Sequence, residues 1–332
     1  MPAADAKLFV VPFLCTQSGW HSACGNHDSN MRHLAAYLQR SPWFQRHGGA
    51  DHFILCDREA ESLLLRYEIH GKKIFHKVIS ANFERNKLVP GLVGVGYSTL
   101  TSRFYSCSSG QVSTPVSHRK HLLSAVFSLH AKKQTKHISG NQLRQSLACD
   151  WRWNAPSIPP NEVVLSVPGN PKLLDDTICN TSSYSIKTHI PRPFSGPFEK
   201  CEAASLYADS RMVLSPAGDT ATTVRIWNNF ESATPTAILV EQLHAILRAL
   251  PFPAIPWRRM FVPLEINSTH FAASLWRSSR AVPLKNLAHV QRLMHEWKHH
   301  VLWHVEGSVA HLHTIREAQA IAVRRLANEI GT

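Results

Sequence analysis

The densest chemistry in the chain lies in Arg211-Met-Val-Leu-Ser-Pro-Ala-Gly-Asp-Thr-Ala-Thr-Thr-Val-Arg225-Ile-Trp-Asn228. An apolar run ends at Ser215, a Pro216-Ala217-Gly218 turn follows, and the hydroxyl residues Thr220, Thr222 and Thr223 lead into a helical pattern. The first turn of a helix has backbone N–H groups with no intrahelical partner and carries the positive end of the helix dipole. A helix that starts just past a buried strand is therefore suited to a diphosphate. Arg225, near that start, can add a bidentate charge-assisted contact to the same group. The plainer alternative is an ordinary capped helix with Arg225 on a solvated face, and composition alone does not separate the two.

A second pattern is His295-Glu296-Trp297-Lys298-His299, which fits H-E-x-x-H. On a helix it sets two imidazoles on one face for zinc with the glutamate as base, and Glu317 is available as a third ligand. No Gly-x-x-His continuation follows, and His300, His304, His311 and His313 crowd the same region. With 21 His in the chain, a chance match on a solvated face of the terminal helix is the simpler account. No Asp-x-Asp occurs either, so the usual carboxylate pair for a metal-bridged diphosphate is missing and no metal is expected.

The elements that must position these residues read as an α/β series. Apolar strand patterns fall at Leu8 to Pro12, Asp51 to Cys56, Ile74 to Ile79 and Leu92 to Tyr97, with helical patterns from Met31 to Leu38, capped by Asp28 or Ser29, and from Glu59 to Tyr67. Ser98 to Ser117, rich in Ser, Thr and Gly, reads as a linker. A second series follows, with strands at His121 to Leu129, Val163 to Val167, Met212 to Leu214, Ala237 to Val240 and Met260 to Leu264. Helices are expected at Asn141 to Leu147, near Glu202 to Tyr207, from about Thr222, and at Glu241 to Leu250. Pro168 to Phe198 reads as a loop, and everything from Leu284 onward as helical.

The chain has 332 residues, long enough for two ordinary domains. Apolar residues make up 44% and charged residues 18%, which excludes wholesale disorder. A formal charge of +13 points to an anionic partner. Without an RNP-type aromatic signature, zinc-finger spacing or a long Lys/Arg block, nucleic acid fits less well than a small phosphorylated ligand. The seven Cys form no C-x-x-C, so neither a zinc ribbon nor a redox motif is signalled. Two sequons, at Asn180 and Asn267, suit a secretory-pathway glycoprotein. No run of 18 apolar residues exists, and Met1-Pro2-Ala3-Ala4-Asp5 reads as neither a basic n-region nor an apolar h-region.

Ser215 to Trp227 resembles, position by position, the signature of the exostosin family of glycosyltransferases. There a strand ends in Leu/Cys-x-Pro-x-Gly-Asp and continues Ser/Thr-x-x-Arg-Leu-Phe/Trp-Asp/Glu-Ala. Ala6-Lys7-Leu8-Phe9-Val10-Val11-Pro12-Phe13 and Pro42 to Phe53 are similar to two earlier family segments, Arg119 to Leu123 to the opening of its C-terminal domain, and Leu250 to Val262 to a later one. Order and spacing agree over residues 4 to 305. The resemblance implies two Rossmann-like domains facing a cleft, the GT-B type. It divides the chain into a partial acceptor-side domain (1–115), a nucleotide-sugar-binding domain (116–281) and C-terminal helices (282–332).

By the same resemblance the chain is an inverting, metal-independent transferase that moves a sugar from a nucleotide diphosphate sugar, UDP-linked, to a polysaccharide or glycoprotein acceptor. It needs no other cofactor. It works in the Golgi lumen as a type II membrane protein in its complete form, with a homo- or hetero-oligomer with a related transferase as a further expectation. Arg119, Ser215, Gly218, Asp219, Thr220, Thr222, Thr223, Arg225, Asn228 and Glu231 fall at the donor-binding positions. Two departures stand out. Asn228 replaces the acid three positions after the Arg, leaving Glu231 as the nearest carboxylate, and the chain begins almost on a strand that in relatives follows an anchor, a stem and earlier β/α units. The first departure keeps open a non-catalytic member that binds glycan or stabilises a partner. The second implies that Leu8 to Val11 lies at an open sheet edge. Inverting transfer needs a base, for which Asp51 and His52 qualify by type, although Asp-His-Phe at a strand start also serves structure.

Overall fold

The computed structural model describes residues 5–13, 26–55, 68–69, 72–82, 91–95, 107, 113–127, 144, 147–148, 158–159, 162–166, 201–217, 222–266 and 271–330. The chain divides into two compact units, Met1–Gly96 with Arg248–Ala254 and Val309–Thr332, and Tyr97–Leu247 with Ile255–Ser308. Each holds its own parallel sheet, so the α/β class with two parallel sheets is what the fold displays.

In the first unit, β1 (Phe9–Val11), β2 (His52–Ile54), β5 (Ile79–Asn82) and β6 (Leu92–Gly94) pair in parallel in that spatial order. β3 (Glu68–Ile69) and β4 (Lys72–Lys73) form a separate antiparallel pair. Among the described strands β1 is an edge, with Val10 54% exposed. The run expected as a strand over Ile74 to Ile79 is a turn through Lys77, and the strand starts only at Ile79. Ile74, Phe75 and Val78 enter the core from that turn.

Helix α1 (His27–Arg40) is capped by Asn26, whose Oδ1 accepts from the N–H groups of Asp28 and Ser29. The expected caps are thus the donors to the true one, a displacement of two or three residues. Met31, Ala35 and Leu38 form its buried stripe. Helix α2 (Pro42–His47), absent from the sequence reading, starts on a proline and stops at Gly48, φ 56°. Gly49, φ 86°, lies so close to the Phe44 ring that a Cβ there would stand 2.7 Å from it.

In the second unit, β7 (Leu123–Val126), β8 (Val163–Ser166), β9 (Val213–Leu214), β10 (Thr236–Leu239) and β11 (Phe261–Leu264) are all parallel, in the spatial order β11-β10-β9-β7-β8. The chain leaves β7 toward β8, then returns to the other side of β7 for β9. Strand order therefore reverses between β7 and β9, the place where open α/β sheets leave a crevice at the carboxyl ends of their strands. Residues 213–214 and 236–239 are buried throughout, as both-faced coverage by helices requires.

Around this sheet stand α3 (Glu202–Ala208), α4 (Val224–Glu231), α5 (Val240–Ala249), α6 (Phe271–Ala281) and α7 (Leu284–Val301). A disulfide joins Cys107 to Cys201 at the start of α3, 94 residues apart in sequence. Helix α6, missed in the sequence, buries Ala272, Leu275 and Ser279, and its Trp276 Nε1 donates to Glu162 Oε2 at 2.7 Å. The helical C-terminal region is shared between the units. Helix α7 belongs to the second unit and α8 (Ala310–Ile330) to the first, where Arg325 donates to the Lys77 carbonyl beside Gly91. Among the described residues, no helix is long and apolar enough to cross a membrane.

Candidate functional site

Strand β9 delivers Ser215, Pro216 and Ala217 to the carboxyl end of the second sheet at the strand-order reversal, and α4 begins a few residues later. Three side chains fix this exit. Asn229 Nδ2 donates to Ser215 Oγ (3.2 Å) and to Thr236 Oγ1 (2.9 Å), so the body of α4 is tied to the sheet. Arg225 donates from Nη2 to the Pro216 carbonyl at 3.1 Å. Gln242, in the first turn of α5, accepts the Ala217 N–H at its Oε1, 3.1 Å away. Ser215, Asn229 and Gln242 are all buried.

Thr223 is the N-cap of α4, in extended conformation (φ −143°, ψ 152°), yet its side chain makes no capping bond. Its Oγ1 is buried with no hydrogen-bond partner among the described residues. The usual threonine at this position satisfies one of the orphan helix N–H groups. Here the hydroxyl is left over and the helix start lacks a side-chain cap from Thr223, an arrangement suited to an anion. Tyr207 of α3 lies fully buried nearby. Burial pushes its phenol up to about 12, the Arg225 charge opposing the shift.

The residues expected at a donor site separate into two groups. Ser215, Thr222, Thr223 and Arg225 gather between β9 and the start of α4, and Thr222 is buried there. Gly218, Asp219 and Thr220 lie outside the described residues, as do the sequon asparagines Asn180 and Asn267. Arg119 stands at the opposite, amino end of the sheet, 2% exposed, and every nitrogen is engaged. Nε donates to Thr114 O, Nη1 to Ser210 O and Thr234 Oγ1, and Nη2 to Ser113 Oγ, Ser232 O and Ala233 O. Burial pushes this guanidinium down to about 10, Asp209 opposing.

Glu231 closes α4 at that same amino end. Its carboxylate contacts His304 Nε2 and lies 3.8 Å from Lys298 Nζ, with the carboxylate 3% exposed. Burial and the Lys298 charge hold His304 below the ordinary imidazole value against the opposing pull of Glu231. Asn228 keeps a buried Oδ1 without a partner among the described residues.

In the first unit Asp51 is fully buried at the amino end of β2. Its Oδ1 meets His52 Nδ1 at 2.8 Å and its Oδ2 accepts from Arg46 at 3.1 Å. Burial would raise this carboxyl, but the bonds from His52 and Arg46 outweigh it and hold it below 3.8. The His52 ring stacks on Phe9 at 4.9 Å and meets the edge of Phe44 at 5.0 Å. This pair is built into packing. Of the H-E-x-x-H residues, His299 Nδ1 bonds the Glu306 carbonyl at 2.8 Å, while burial, then Lys298 and Arg119, push His295 down. Among the described residues no group of three His, Cys, Asp or Glu is placed to hold a metal.

Asn229 and Gln242 were not among the residues expected at the donor site. Asn229 carried a signal, as a polar residue inside the apolar stripe Ile226, Trp227 and Phe230 of α4. Gln242 carried none, because its role depends on two neighbouring strands.

No protein-family model matches the chain, and no curated protein does. Similar solved structures include WaaG, a glycosyltransferase involved in lipopolysaccharide biosynthesis, with TM-score 0.40 and 10% identity over 81% of this chain and 74% of that one. A sucrose-phosphate synthase from Thermosynechococcus elongatus gives TM-score 0.36 and 10% identity, covering 97% and 67%. Arabidopsis thaliana UGT89C1, in complex with quercetin, gives TM-score 0.36 and 10% identity, covering 89% and 77%. At this identity the likeness concerns the fold alone.

Proposed function

We propose that the chain is an exostosin-type glycosyltransferase that holds the diphosphate of a nucleotide diphosphate sugar, UDP-linked, at the β9–α4 junction and passes the sugar to a polysaccharide or glycoprotein acceptor. The observation that carries the reading is the uncapped start of α4 beside buried, unpartnered Thr223 Oγ1, at the strand-order reversal of a parallel sheet. Arg225 supplies the cation of the junction. With helix-start N–H groups it would stabilise the departing diphosphate electrostatically, and on this reading transfer is inverting and needs no metal. The absence of any Asp-x-Asp in the sequence supports that. The Cys107–Cys201 disulfide and the two sequons favour an oxidising, secretory setting such as the Golgi lumen.

The test is titration of the full chain with uridine diphosphate, followed by donor turnover with and without EDTA. Saturable binding and chelator-insensitive turnover are expected. Loss of turnover in EDTA with recovery in manganese overturns metal independence, and absence of binding overturns the site. Binding without turnover selects the second reading, a non-catalytic member of the fold. That reading is favoured by Asn228 at the family's acidic position and by the engagement of Asp51 and His52 in packing.

A further inference from the structure

We propose that Gln242 is a ligand-binding residue of this site, donating from Nε2 to the diphosphate sugar; the inference rests on the reading above. Its amide is oriented by the protein itself. Oε1 accepts the Ala217 N–H at 3.1 Å, and only the carbonyl oxygen of an amide can do so. Nε2 is therefore the end turned away from Ala217, and it has no hydrogen-bond partner among the described residues. Nor is it among the sealed, unpartnered atoms of the interior, unlike Thr223 Oγ1.

The other glutamine of this unit that is buried to the same degree is used differently. Gln291 is 8% exposed against 7% for Gln242. Its Oε1 accepts the Val116 N–H at 3.2 Å, and its Nε2 donates to both Ser113 Oγ and Thr114 O at 3.0 Å. Both ends of that amide hold structure together. In Gln242 one end holds the β9 exit loop and the other is a fixed donor. It stands at the carboxyl end of the sheet, on the first turn of a helix that follows β10 without a connecting loop. Arg225, in the first turn of α4, and Gln242 hold the two ends of one peptide group, the Pro216 carbonyl and the Ala217 N–H, so the starts of both helices meet at the same stretch of backbone. A neutral, pre-oriented N–H donor contributes to phosphate or sugar-hydroxyl recognition without adding charge.

Substitution separates the two ends. Gln242→Glu keeps an oxygen for the Ala217 N–H and exchanges the donor for a repelling oxygen. Gln242→Leu removes both. Uridine diphosphate is titrated calorimetrically into the full chain, and amide hydrogen exchange reports protection of the Ala217 N–H. Gln242→Glu should bind at least tenfold more weakly with that protection kept, and Gln242→Leu should lose both affinity and protection. If Gln242→Glu binds within twofold of the parent, Gln242 only positions the loop and the inference is overturned while the site stands. If the parent itself does not bind, the site reading falls first and the inference with it.

Discussion

The two ends of the second sheet use their most buried polar side chains differently, although Arg211 Nε and Asn228 Oδ1, toward the amino end, are also buried without a partner among the described residues. At the amino end, Arg119 spends all its donors on five backbone or hydroxyl groups of the segments entering β7, β9 and β10 together with Thr114, while Gln291 and Glu231 are equally occupied. At the carboxyl end, the Thr223 hydroxyl and the Gln242 amide nitrogen have no partner among the described residues, although each belongs to a side chain that is largely buried. Buried polar groups are ordinarily satisfied within the fold. The saturation of Arg119 therefore marks a clamp, and it is the place of the Thr223 deficit at a strand-order reversal that suits it to a site.

The sharpest way to break this comparison is Arg119→Met, which strands several buried acceptors at once. We expect unfolding free energy to fall by roughly 3–5 kcal/mol in urea titrations. A stable variant with weakened nucleotide binding would move Arg119 from clamp to ligand. Arg225→Ala should act mainly on the ligand, costing about 1.5–3 kcal/mol of uridine diphosphate affinity by calorimetry and only about 1 kcal/mol of stability through the lost bond to the Pro216 carbonyl. Equal affinity in parent and variant would remove the diphosphate from this place.

The amino end of the first sheet offers the same contrast with a pH signature. Asp51 is held below its ordinary 3.8 because His52 and Arg46 outweigh burial. Its contribution to stability is thus complete above that ordinary value and is lost as pH falls through the folded one. Asp51→Asn should cost on the order of 1–3 kcal/mol at pH 7. The gap between parent and variant should close below about pH 4, read from denaturation midpoints at stepped pH. A gap constant down to pH 2 would mean that Asp51 acts by shape alone.

The smallest and most telling change is Thr223→Val. Replacing an unsatisfied buried hydroxyl by a methyl should leave the free protein as stable or up to about 1 kcal/mol more so, and should weaken nucleotide binding by about 1 kcal/mol. Opposite signs in the thermal and binding measurements are the mark of a group kept for a ligand. Loss of stability would show that the hydroxyl is already in use.

The sequence made the apolar strands legible. The runs expected as strands at Ala237 to Val240 and Met260 to Leu264 are parallel strands at 236–239 and 261–264, the first buried throughout and the second, at the edge of the described sheet, with Pro263 exposed. The β9–α4 junction was legible because turn, hydroxyls and helix start adjoin in the chain. What could not be read was whether an arginine is a clamp or a ligand. Arg119 and Arg225 look alike in sequence, and only acceptors up to 115 positions away distinguish them. Helix α6 escaped notice because Ser278 and Ser279 interrupt its apolar period, although Ser279 is buried by bonding back to Leu275 O. The assignment of α7 and α8 to different units depends on contacts such as Arg325 with Lys77, 248 residues apart, which no local pattern records.

That last pairing bears on how the molecule is made. On a ribosome, β1, β2, β5 and β6 emerge well before the helix that lies against β5 and β6. The whole of the second unit is synthesised in between. At roughly 5–20 residues per second the first sheet waits about 10–45 seconds for its cover to begin to emerge. Its apolar strands are open to chaperones throughout that interval, and a stop codon ahead of α8 would leave this sheet without its cover however completely the second unit folds.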